Sequence, residues 1–121
     1  MLIRIDPSRD AALWEQVAAS VRTAIAAGKI RSGERLPSAR EVAGSLDLNL
    51  HTVLRAYQEL RDEGLVDMRR GRGAVVTEAA DGLRRLRDDV VALASRARSL
   101  GLAPGVLASL LADVDPEEDP S

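Results

Sequence analysis

The pattern of apolar and polar positions changes character several times along this chain, and each change marks an element. Between Leu13 and Thr77, two helix signals, a third and longer helix and an Arg/Gly-rich hairpin follow one another with short connections. Periodicity is clearest in the third helix, where Val53, Ala56, Tyr57 and Leu60 recur at i, i+3, i+4 and i+7 and so specify one buried face. On the opposite side, at about 100° per residue, His51, Arg55 and Gln58 project together, with Asn49 ahead of them as a good N-cap. Hydrogen-bonding side chains therefore point away from the core. Upstream, residues 36–43 contain a capping box in which Ser38 can cap a backbone N–H while Glu41 reaches back. Gly64 supplies a left-handed stop, and Leu65-Val66-Asp67-Met68 and Ala74-Val75-Val76-Thr77 flank Arg69-Arg70-Gly71-Arg72-Gly73. This predicts a two-stranded wing with a basic tip. A helix, a helix-turn-helix and a wing in that order suit a small protein that reads duplex DNA.

Beyond the wing the period becomes that of a coiled-coil seam. Leu83, Leu86, Val90, Leu93, Ala97 and Leu100 step by three, four, three, four and three, while Arg84, Arg85, Arg87, Asp88 and Asp89 occupy other faces. Gly101 stops that helix, and Pro104 suits the first turn of another, in which Val106, Leu107, Leu110, Leu111 and Val114 form a short apolar stripe. Two such helices predict a hairpin too small to bury its seam alone, hence a dimerisation element. The last residues, rich in Asp, Glu and Pro, predict a frayed acidic tail.

Charge qualifies the nucleic-acid reading without reversing it. The chain carries 17 basic and 19 acidic residues, a net −2. Residues 80–121 hold five arginines against eight acidic residues, or −3, which leaves +1 for the first 79 residues. Their positive side chains gather at the wing and the helix-turn-helix, a local footprint with modest nonspecific affinity. Cysteine is absent and no apolar run precedes Leu13, so disulfides, a zinc cluster, secretion and membrane insertion lose their usual support and a reducing cytoplasm is the default.

At these residues the chain resembles the GntR family of bacterial winged helix-turn-helix transcription regulators. The resemblance is carried by an ordered set of segments: Leu13-Trp14-Glu15-Gln16-Val17, Gly28-Lys29-Ile30, Gly33-Glu34-Arg35-Leu36-Pro37-Ser38, Arg40-Glu41, and Glu63-Gly64-Leu65-Val66 leading to Arg70-Gly71-Arg72-Gly73. Asn49-Leu50-His51-Thr52-Val53-Leu54-Arg55-Ala56-Tyr57 is similar to the recognition helix of the short YtrA-type members. The resemblance implies DNA contacts from Ser38 and Arg40 on the second helix, His51, Thr52 and Arg55 on the third, and Gly71 to Gly73 in the wing. Asn49, Gln58, Arg70 and Arg72 join them from the residue pattern itself. It also implies dimerisation through the C-terminal helices. Leu50 and Leu54 stand where many relatives have arginine, so base readout leans on Asn49, His51 and Arg55.

The expected architecture is mainly α with a small β-hairpin: a winged helix-turn-helix domain over 1–79, a helical dimerisation hairpin over 80–113 and a disordered acidic tail over 114–121. At 121 residues there is no room for the separate effector domain of larger relatives. The expected function is a homodimeric repressor on a palindromic operator of double-stranded DNA, with no enzymatic activity, cofactor, metal or membrane association. His51, the only histidine, has no second ligand type nearby and no Gly-x-Ser-x-Gly elbow accompanies it. Trp14 is expected to pack the first helix against the third. Left open are a winged fold that docks a protein instead of DNA, a seam that packs back on its own domain, and a small-molecule effector seated between the winged domain and the helical hairpin.

Overall fold

The computed structural model describes residues 3–117. Its elements are α1 (Leu13–Ala26), α2 (Ala39–Leu46), α3 (Leu50–Asp62), β1 (Val66–Arg69), β2 (Gly73–Val76), α4 (Ala79–Ser99) and α5 (Pro104–Asp113). They form two compact units, residues 1–86 and 87–121, with α4 running from the first into the second. None of the described helices is long and apolar enough to cross a membrane.

The helix boundaries follow from local chemistry. Ser38 Oγ accepts the Glu41 N–H at 3.1 Å and opens α2, and Asn49 Oδ1 accepts the His51 N–H at 2.8 Å and opens α3. Only half of the expected capping box forms, because no bond returns from the Glu41 carboxylate to the Ser38 N–H among the described residues. Between α2 and α3, Asp47 takes a left-handed φ of 54° and makes the turn of the helix-turn-helix. Gly64, at φ 81°, ends α3: its N–H donates to Arg61 O at 2.9 Å and that of Leu65 to Leu60 O at 3.0 Å, the paired closure that needs a residue free to adopt positive φ.

The winged unit is built around α3. Val53, Ala56, Tyr57 and Leu60 are buried, and α3 packs on α1, α2 and β1. Val17, Val21 and Ile25 of α1, Val42 of α2, and Val66 and Val76 of the hairpin complete the core, to which Ile30 and Leu36 add. Each such side chain, fully buried, contributes about 1.5–3 kcal/mol. The hairpin pairs Val66 with Val76, Asp67 with Val75, Met68 with Ala74 and Arg69 with Gly73. On the other edge of β2, residues 33–36 run alongside: Gly33 N donates to Val76 O, Leu36 N to Ala74 O, and Val76 N to Glu34 O, all at 2.8 Å. The wing is thus tied to the α1–α2 connection as well as to α3.

Three polar contacts fasten the unit. Gln16, buried on α1, accepts the Asp6 N–H at 2.7 Å and donates from Nε2 to the carbonyls of Asp6 and Ala11, both at 3.0 Å, pinning the N-terminal segment. Arg22 of α1 pairs with both carboxylate oxygens of Glu63 at the end of α3, Nε donating at 2.8 Å, and this contact raises the guanidinium pKa further. The Tyr57 hydroxyl donates to Pro37 O at 2.6 Å, joining α3 to the start of α2.

The expected boundary after residue 79 falls inside the winged core instead. Ala80 is buried and Leu83 half-buried against that core, so Leu83 belongs there and the exposed part of the seam begins at Leu86. In the second unit Leu86's successors behave unequally: Val90, Leu93 and Leu100 are exposed, whereas Ala97 is only 7% exposed. The expected hairpin is not zipped along its length. No residue of α5 is buried, Leu107 is half-buried, and Val106, Leu110 and Leu111 are exposed. Val114 follows α5 in extended conformation. Residues 118–121 of the expected disordered tail lie outside the described residues.

Burial, and secondarily the nearby Glu41 carboxylate, raises the Tyr57 pKa well above its ordinary value. The folded state therefore keeps a proton that the unfolded chain releases from about pH 10, so this contribution to stability is complete below that pH and falls as pH rises through it. Tyr57 is the only tyrosine. In an alkaline titration, tyrosinate absorbance should stay silent at about pH 10 and appear together with loss of helical circular dichroism at higher pH. Ionisation near pH 10 with the helices intact would contradict this placement. Tyr57→Phe should cost about 1 kcal/mol in denaturant unfolding through the lost bond to Pro37.

Candidate nucleic-acid interface

Because α3 is held on one face by the core, its opposite face is left to solvent. His51, Arg55 and Gln58 are all exposed there, as the periodicity predicts, and Thr52 is half-buried at the edge. Asn49 is exposed but its carbonyl oxygen is committed to the cap, which leaves its amide NH₂ as the group free to act on a ligand. Ser38 is similarly divided: its oxygen accepts from Glu41, while its hydroxyl proton remains a donor. Arg40 is exposed one residue into α2.

The wing stands beside this face. Arg70, Gly71 and Arg72 form its tip, with Arg72 N donating to Arg69 O at 3.1 Å. Gly71 has φ 81°, and nothing lies within 4 Å of the position a Cβ would occupy. A substitution there is opposed by backbone conformation, not by crowding. The tip is unevenly charged. Arg69 lies 3.6 Å from Asp67, whereas Arg70 and Arg72 have no carboxylate partner among the described residues.

Ser38, Leu54, Tyr57 and residues 71–73 line a single groove of about 610 Å³ between the start of α2, α3 and the wing. The structure therefore brings Ser38, Gly71, Arg72 and Gly73 together, and sets His51, Arg55 and Gln58 on the outward ridge of α3. It also accounts for the two leucines. Leu50 is half-buried against the core, and Leu54 is half-buried in the groove beside Met68 of the wing, so neither position is an open slot for a charged side chain.

Sequence reasoning missed one contact of this face. The Arg55 guanidinium lies over the Trp14 ring, 4.2 Å from its centroid, so α1 supports a side chain of the outward ridge of α3. Trp14 is half-buried and joins α1 to α3, as expected, but Arg55 as its partner required knowing how two helices distant in sequence cross.

Comparison with known proteins agrees with this geometry. The chain is 37% identical over 79 residues to the HTH-type transcriptional repressor YtrA of Bacillus subtilis, covering 65% of this chain and 61% of that one. It spans between 55% and 63% of the length of this and two further curated relatives. Among solved structures, a GntR family transcriptional regulator from Listeria monocytogenes superposes with a TM-score of 0.63 at 27% identity, covering 92% of this chain and all (100%) of that one. YtrA from Sulfolobus acidocaldarius, a GntR-family transcription factor, gives a TM-score of 0.61 at 31% identity over 82% of this chain and 99% of its own. The profile of "Bacterial regulatory proteins, gntR family" matches residues 13–76, from the start of α1 to the end of β2. That match takes in more than half the chain and all of the winged helix-turn-helix, and the chain belongs to the gntR family.

Proposed function

We propose that this protein is a sequence-specific transcription regulator acting in the cytoplasm as a homodimeric repressor. The observation that carries the reading is the outward face of α3, on which His51, Arg55 and Gln58 are exposed together beside a wing whose Arg70 and Arg72 have no carboxylate partner among the described residues. In this reading the start of α3 enters the major groove, where Arg55 reads a guanine edge and His51 and the Asn49 amide contact neighbouring bases. Arg40 and the Ser38 hydroxyl anchor the backbone at the start of α2. The wing reaches the adjacent minor groove, its glycines allowing the main chain to approach phosphate closely. Repression is the activity stated for the Bacillus subtilis relative, and occlusion of a promoter by a bound dimer is its simplest physical form.

Dimerisation is supported by unspent apolar surface in the second unit. Val90 is 52%, Leu93 41% and Leu100 65% exposed, and on α5 Leu110 is 64% exposed. Contiguous apolar surface of this kind marks an association site in a soluble protein. A second copy supplies the matching seam by symmetry, and two-fold symmetry demands a palindromic operator with half-sites about 10 bp apart.

The reading is tested by selecting bound fragments from a pool of duplexes at physiological salt. The expected product is a palindrome. Arg55→Ala should cost about 1–3 kcal/mol and relax preference at one position of each half-site, while Arg72→Ala should weaken all sequences about equally and lower the salt slope by about 1. Failure of the folded protein to enrich any motif would remove the DNA reading and favour a winged fold that docks a protein. For the dimer, Leu93→Asp combined with Val90→Asp should give a monomer in sedimentation with its helical signal retained. Persistence of the dimer in that variant would exclude the α4 seam as the interface.

A further inference from the structure

The Trp14–Arg55 pair does more than join two helices. Arg55 makes no hydrogen bond or ion pair among the described residues, and its one specific contact is the face of Trp14. A cation over an aromatic face at this separation is attracted by the ring quadrupole, and because the ring offers no oxygen or nitrogen acceptor, the guanidinium N–H donors keep no hydrogen-bond acceptor among the described residues. Those donors are the ones that a bidentate contact to guanine O6 and N7 uses. An unsupported arginine on an exposed ridge samples many rotamers, and ordering it on contact with a base costs entropy that stacking has already removed. Trp14 itself is fixed by its half-buried position against the core.

We infer that Trp14 is a positioning residue for base recognition: from α1, without touching DNA, it holds Arg55 in the orientation that discriminates one base pair of each half-site. The inference rests on the reading of α3 as the recognition helix. It assigns to an α1 side chain a share of operator specificity, beyond its packing role.

The test uses the full chain, first without DNA. Trp14 is the only tryptophan, so its fluorescence reports the stack alone. Arg55→Ala should change that emission in the free protein, and an unchanged spectrum would overturn the contact. With selected duplexes, Arg55→Ala identifies the base pair that Arg55 reads. Trp14→Leu should then lose about ten-fold in discrimination at that same base pair and leave preference at the others unchanged. Added to Arg55→Ala, it should cause no further loss, and Trp14→Tyr, which keeps an aromatic face, should restore most of the discrimination. A thermal melt of each variant separates this from simple destabilisation. Equal weakening on every sequence, or intact preference at the Arg55 base pair, would overturn the inference and leave the DNA reading standing. Enrichment of no motif by the wild-type protein would overturn the DNA reading itself, and the positioning role with it.

Discussion

Burial of Val53, Ala56, Tyr57 and Leu60 is the constraint from which the rest of the winged unit follows, because it fixes the rotation of α3 about its own axis. A helix held on its core face by α1, α2 and β1 has one face left, and the identity of the residues on that face is then decided by spacing alone. A rotation of even one residue, about 100°, would carry Arg55 toward the core and expose an aliphatic side chain in its place. The Tyr57 hydroxyl, bonded to Pro37, sets α3 relative to the first turn of α2, and the Arg22–Glu63 pair sets its far end against α1. These polar contacts are small energies beside the apolar burial, but they are directional, and direction is what fixes the outward face of α3.

A chain of net charge −2 can still present a basic surface, and the ion pairs show how. Arg22, Arg69 and Arg84 lie within ion-pair reach of Glu63, Asp67 and Asp81, so their charges are locally offset. Arg61, near the end of α3, lies 3.4 Å from Asp62, whereas Arg40 on α2, Arg55 on α3, and Arg70 and Arg72 at the wing tip have no such partner among the described residues. Exposed ion pairs contribute about 0–1 kcal/mol to stability at most. Their larger consequence here is that the arginines beside the outward face of α3 keep their charge uncompensated.

The second unit is organised by the opposite shortage. Its helices have more large apolar side chains than they can cover, and α5 in particular contributes none to a buried core. Only Ala97 is shielded, the smallest side chain of the seam, which fits a surface where helices approach closely. In the proposed dimer, stability and assembly are one problem in this region, since the apolar area that would hold these helices in place is the area that a partner copy would bury.

Local chemistry made a large part of this structure legible from the residues in order. The caps at Ser38 and Asn49, the stop at Gly64, the glycine-bearing turn between β1 and β2 and the outward trio His51, Arg55 and Gln58 each depend on neighbours within a few positions, where spacing and backbone preference decide the outcome. Periodicity also separates a buried face from an exposed one, but it does not say what lies across from either. Only the tertiary structure decided that residues 33–36 pair with β2, that Gln16 ties down the N-terminal segment, and that Leu83 belongs to the winged core while the open seam starts later. It likewise decided that Arg55 lies on Trp14. The physical reason is common to all four: each is a contact between an element and a different segment of the chain, whose partner is chosen by how those segments pack, and a one-dimensional pattern carries the faces of the elements but not their packing.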